Sequence, residues 1–189
     1  VGLFGAVLAA FGIDDVARRT PPARAGAEVE VETANHEDCR EDAMKWITRE
    51  KARVDRIACP WLISRFIDRE PTFLFVPTSQ VLAVAEREGA IPFDVPDVEL
   101  GHHGERCSFD AFLDKYQLRD PALGVLSEIV RGADTEAREL TPESSGLYAL
   151  ATGFQAIAKD DHDNMAKQFP AYDALYAYCR ARVTAPRHG

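Results

Sequence analysis

The sequence predicts an α+β fold, with a small mixed sheet of short strands in the N-terminal half packed against a mostly helical C-terminal half. Two observations carry this. Short runs of β-branched and aromatic residues stand at Lys45–Arg49, Thr72–Val76 and Ile91–Val95. From Ser108 onward, apolar residues recur instead at three- and four-residue intervals. Strands and helices are therefore segregated between the halves.

Each element has a local reason. Lys45–Arg49 reads as the first strand. Ile57, Trp61, Leu62 and Phe66 fall at helical spacing, which predicts a helix over about 56–68 with Pro60 in its first turn, where a missing N–H matters least. Thr72–Val76 reads as a buried strand, Val81–Glu88 as a helix ended by Gly89, and Ile91–Val95 as a further strand or edge. A polar loop follows at Gly101–Gly104. Ser108 is placed to cap a helix over Phe109–Tyr116, and Pro121 to open one reaching about Arg131. Two more helices are expected over Gly146–Lys159 and Ala171–Arg182.

The chain has 189 residues, 46% hydrophobic and 28% charged, enough for one domain with a core that needs no disulfides. Residues 14–43 hold Pro21-Pro22, a stretch of small residues and an acidic run, which is linker composition. Residues 1–43 thus read as an extension and 44–186 as the domain. Within the extension, the apolar run Val1–Ile13 is too short for a membrane span, which needs about 20 residues. It also has no basic residue before it and Asp14-Asp15 directly after it, unlike a secretory signal.

A net charge of −9, with the two signs interspersed, argues against nucleic acid as a partner, because phosphate contacts need clustered Lys and Arg. Four cysteines, Cys39, Cys59, Cys107 and Cys179, show no paired spacing. That favours a reducing compartment, the cytoplasm, over a disulfide framework or a thiolate zinc site.

Candidate chemistry lies in short polar segments. His102 and His103 sit between glycines in a loop, and imidazole suits first-row transition metals. Adjacent side chains point apart, so one ligand is expected there rather than two. Asp134 ends an apolar helix, where a cation would be better placed electrostatically. It either caps the next segment or delivers a carboxylate to a site. Asp55 occupies an N-cap position, beside Arg56, whose planar fork suits oxyanions. Cys59 near a helix start could be activated or merely buried, and Cys107 has the same two readings. Asp110 follows in a first helical turn, favourable to the dipole without any function. Asp161 and His162 belong to a run from Asp160 to Asn164, a hydrophilic interruption between two apolar helices, where such residues commonly serve as caps and offer ligand atoms as the second reading.

Taken in order, Lys45–Arg49, Val54–Ile63, Arg65–Asp68, Phe75–Pro77, Ile91–Asp94, Glu99–Gly104, Cys107–Asp110, Arg131–Thr135, Asp160–His162 and Tyr172–Tyr176 resemble the chromate-resistance family. This is the domain found at the C-terminal end of ChrB-type proteins, and the resemblance covers about residues 44–182. It implies a role in bacterial chromate resistance. Some family members are similar in role to chromate-responsive regulators, and the family label also carries the word "exported", which keeps the periplasm as an alternative location. Regulator-type relatives have a further N-terminal region, and an extension of residues 1–43 is short for a second domain.

Together these readings yield an expectation. His102, Asp134, Asp55 and Asp110 bind a divalent transition metal (zinc, iron or manganese), and Arg56 holds a chromate-like oxyanion. His103, Cys59, Cys107, Asp161 and His162 are further candidates. A metal- or cysteine-dependent redox or hydrolytic enzyme and a chromate-responsive regulator stay open as alternatives, and self-association is compatible with the composition.

Overall fold

The structure, a computed structural model, describes residues 44–185. The extension read over residues 1–43 lies outside the described residues. The α+β class holds. Strands β1 (Lys45–Arg49), β2 (Thr72–Val76) and β3 (Ile91–Pro92) form a sheet in the order β2-β1-β3. Both pairings are parallel, so the sheet is not mixed in direction. A helical crossover follows β1 and another follows β2, and each lets the next strand run parallel to β1. β3 is shorter than the expected Ile91–Val95, because Asp94 turns into the left-handed region at φ 51° and ends the extended run.

Helix α1 (Asp55–Leu62) continues as a π-helical turn over Ile63–Ile67. Pro60 sits in the second turn of α1, not the first. It has no N–H for the Arg56 carbonyl, and the helix widens just beyond it, where the Ser64 hydroxyl donates to the Pro60 carbonyl at 2.8 Å. Helix α2 (Val81–Glu88) matches its expected span.

In the C-terminal half, α3 is Ser108–Lys115, α4 Pro121–Asp134, α5 Ser144–Ile157 and α6 Asp161–Thr184. Cys107, not Ser108, caps α3. α6 begins ten residues earlier than the apolar spacing suggested, because the Asp160 carboxylate accepts the Asp163 N–H at 2.8 Å and starts the helix there. The acidic run is the first turn of a helix rather than an interruption between two.

Alternation along β1 divides the core. Trp46 joins the larger cluster, which includes residues of α1, α3, α4 and α6, while Ile47 joins the smaller one with Val81, Val84 and Ala85 of α2. Burying side chains such as Trp46, Trp61, Phe93, Phe109 and Phe112 contributes about 1.5–3 kcal/mol each. α4 packs tightly against the start of α5 at Gly132, where an added Cβ would lie 2.3 Å from Ser144 Oγ. Gly132→Ala is therefore expected to lower unfolding free energy by about 1–3 kcal/mol in denaturant titrations. No change would mean that α5 can shift freely at this crossing.

Among the described residues no helix is long and apolar enough to cross a membrane. With β1 central, the chain crosses first to β2 and then to β3 on the other side. This opens a crevice at the carboxyl ends of β1 and β3, the usual ligand position in open parallel sheets.

Candidate metal centre

Four side chains meet at that crevice. Asp55 opens α1 directly after β1, Asp94 follows β3, His102 lies in the loop beyond, and Asp134 ends α4. One ligand atom from each lies within 4.8 Å of the others. His102 Nε2 is 3.2 Å from Asp94 Oδ1, 3.2 Å from Asp134 Oδ2 and 3.5 Å from Asp55 Oδ2.

The backbone around them is held in unusual conformations. Val54 has φ 27° and Asp94 φ 51°, and each such position costs on the order of 1–3 kcal/mol. The Tyr172 hydroxyl on α6 donates to the Val54 carbonyl at 3.1 Å and fixes the entry to α1. Gly101 allows the loop to close, since a Cβ there would meet the Val95 carbonyl oxygen at 2.6 Å. That tight turn brings His102 back over Asp94.

Each carboxylate is anchored by other donors. Asp55 is fully buried and does not cap its own helix. It accepts the Ser108 and Phe109 N–H groups at the start of α3, at 2.6 and 3.2 Å. Asp134 is placed against its helix dipole, but its Oδ1 accepts the Asp55 N–H at the positive start of α1, at 3.3 Å. Asp94 Oδ2 takes Arg49 Nη2 at 3.0 Å and Arg56 Nε at 3.1 Å, leaving Oδ1 toward His102 and the Ser108 hydroxyl.

Crowded acids shift the titrations. Burial, with Asp134 and Asp94 nearby, pushes Asp55 up to about 7. His102 is pushed up to about 12 by hydrogen bonds to Asp134, Asp55 and Asp94. Burial would raise Asp94 as well, but His102, Arg49 and Arg56 outweigh it and hold the group below its ordinary value.

The shifts of Asp55 and His102 are both upward, so the folded chain holds more protons than the unfolded one and loses stability as pH rises. Asp55's share is complete below 3.8 and lost as pH passes about 7. His102's share is complete below 6.5 and lost toward about 12. Metal-free protein is expected to melt at a higher temperature near about pH 5.5 than near about pH 8. The reverse order in a chelator-treated thermal scan would mean that these two groups do not share one cage.

Several expected residues lie elsewhere. The third carboxylate of the cluster is that of Asp94, and Asp110 lies outside it. Asp110 Oδ2 accepts the Cys107 N–H at 3.1 Å and faces Arg131, a capping role. Arg56 donates through Nε to Asp94 and through Nη1 to the Glu50 carbonyl at 3.1 Å, which holds it beside the cluster. His103 turns away from His102, its Nε2 2.8 Å from the Glu99 carbonyl oxygen. Cys59 and Cys107 are buried, and burial raises both thiols above their ordinary value, which disfavours a nucleophilic thiolate. Asp161 accepts the Lys51 and Ala52 N–H groups, and His162 packs edge-on against Phe75. Asp94 and Arg49 were missed because both looked like ordinary strand residues. An acid just past a short apolar strand, at the carboxyl edge of a parallel sheet, is the signal that could have found Asp94.

Residues 46–179 match the family model described as the C-terminal domain of ChrB. The chain belongs to the ChrB C-terminal domain family. All four cluster residues of this ChrB C-terminal domain fall within the matched span, together with Arg49 and Arg56. Protein ChrB of Cupriavidus metallidurans is 30% identical over 135 residues, which are 71% of this chain and 40% of that relative. The chain therefore spans less than half the length of the relative. No solved structure matches.

Proposed function

We propose that this ChrB C-terminal domain binds one divalent first-row transition metal through His102, Asp55, Asp94 and Asp134, and that it serves in chromate resistance. The observation that carries the metal reading is the convergence of three carboxylates on one imidazole nitrogen at 3.2–3.5 Å. Donors about 2.0–2.2 Å from a shared tetrahedral ion stand about 3.3–3.6 Å apart, so the spacing fits. One nitrogen and three oxygens make a hard to borderline donor set, suited to zinc, iron or manganese.

The surrounding residues fit the same reading. Ser108 N–H, Phe109 N–H, Arg49 and Arg56 orient the carboxylates from behind, as supporting hydrogen bonds do in metal sites. His102 is 41% exposed while Asp55 is fully buried, so the cluster opens toward solvent on the histidine side. A bound ion there would supply a Lewis acid open to an oxygen or anionic ligand. The oxyanion of the chromate reading would approach from that side, the exposed one.

Family membership supports the chromate role, and the full-length setting of ChrB-type relatives keeps a sensor reading as the alternative. Titrating chelator-treated protein with zinc, iron(II) and manganese(II) by calorimetry tests the metal reading. One ion per chain is expected. Absence of binding for all three would leave His102 as a protonated cation in an acidic cage and end the proposal.

A further inference from the structure

β2 is an edge strand that pairs, among the described residues, with β1 alone. The Thr72 N–H donates to the Met44 carbonyl at 3.0 Å and the Val76 carbonyl accepts from the Glu50 N–H at 2.9 Å, so the even-numbered residues of β2 face β1. Alternate residues of a parallel ladder turn their polar groups to opposite sides. The N–H and C=O groups of Phe73 and Phe75 therefore face outward, and no hydrogen bond from another described residue reaches them on that side.

α6 walls this edge with His162, Met165 and Phe169, spaced along one helical stripe. Two cavities lie along the groove between strand and helix. One, of about 550 Å³, is bounded by Arg65, Arg69, Thr72, Phe73, Met165 and Phe169. The other, of about 390 Å³, is bounded by Lys51, Phe75, Lys159 and Asp161. His162 borders both, its ring 5.3 Å from that of Phe75.

We propose that this groove binds an extended peptide segment that adds to β2 as a fourth strand, with an acidic side chain toward Arg65 and Arg69. Four outward backbone groups demand an extended backbone, the recognition mode in which main-chain bonds give affinity and flanking pockets give selectivity. Charge selects the acidic end. In a chain of net charge −9, the larger cavity is bordered by two arginines and no acid. Arg65 is held by a paired contact with Asp173, whereas exposed Arg69 makes no ion pair among the described residues. The smaller cavity mixes Lys51 and Lys159 with Glu50, Asp160 and Asp161, so charge preference resides at the arginine end. A second copy of the chain fits less well, because its β2 would carry its own sheet and α6 into a groove that α6 already walls.

The test is to pan the whole chain against a displayed library of random dodecapeptides and to resynthesise the enriched sequences. Expected peptides alternate apolar residues beside an acidic one. They protect the Phe73 and Phe75 amides from hydrogen exchange and weaken at least about tenfold with Arg69→Glu. His102→Ala should leave this binding intact, which separates it from the metal reading. No enrichment, peptides indifferent to Arg69→Glu, or protection elsewhere would overturn the proposal. Concentration-dependent protection of the same amides without peptide would assign the edge to a second copy and overturn it as well.

Discussion

His102→Ala is expected to weaken divalent-metal binding by at least about 100-fold, since losing even a supporting partner of a metal ligand costs about 10–100-fold. His102 is the one nitrogen donor of the cluster, and its Nε2 faces all three carboxylates. Its side chain is 41% exposed, so the fold does not depend on its packing. His103→Ala is the matched control, because that ring contacts the Glu99 carbonyl outside the cluster. Competition with a colorimetric chelator reads both variants. Equal loss in the two would point to the loop as a whole, and no loss in His102→Ala would remove the histidine from the site.

The second large effect is at Asp55, where two substitutions should part company. Asp55→Ala leaves the buried Ser108 and Phe109 N–H groups without their acceptor. Each unsatisfied group costs about 1–3 kcal/mol, so a loss of about 3–5 kcal/mol in unfolding free energy is expected. Asp55→Asn keeps an acceptor oxygen and removes a charge that burial already disfavours. Its amide oxygen can serve only one of the two N–H groups, and its NH2 meets the other, so a loss of about 1–3 kcal/mol, smaller than that of Asp55→Ala, is expected near neutral pH. Its metal affinity should nonetheless fall, because a neutral amide is a poor ligand beside a carboxylate. Denaturant unfolding in chelator, paired with metal titration, separates the two roles. An Asn variant that binds metal as tightly as the parent would confine Asp55 to holding α3 against α1.

β1, β2 and α2 were legible because their reasons are local: a run of β-branched and aromatic residues, or an apolar stripe ended by Gly89. The start of α6 was not, because the apolar stripe that marks it begins late, while the cap at Asp160 and the buried polar positions Asn164 and Gln168 precede it. Pro60 was misplaced because tertiary burial of Ile57, Trp61 and Leu62 outweighs the local preference for proline in a first turn. Ser108 and Asp55 both read as caps. Asp55 is spatially next to the start of α3, 53 residues away, and its carboxylate bonds that helix's amides instead of its own.

By itself the sequence carried the α+β class and the family, and it named as candidates Asp55, His102 and Asp134, three of the four residues that meet at the crevice. Loop composition marks His102 and electrostatic oddity marks Asp134, whereas Asp55 reads locally as a helix cap. Only the tertiary structure decided that Asp94 completes the group, that Asp110 is a cap, and that Arg56 braces Asp94. The physical reason is strand order. Placing β1 between β2 and β3 sets the residues after β1 and β3 side by side, a juxtaposition that depends on pairing across more than forty residues. No local pattern of charge or periodicity encodes that pairing.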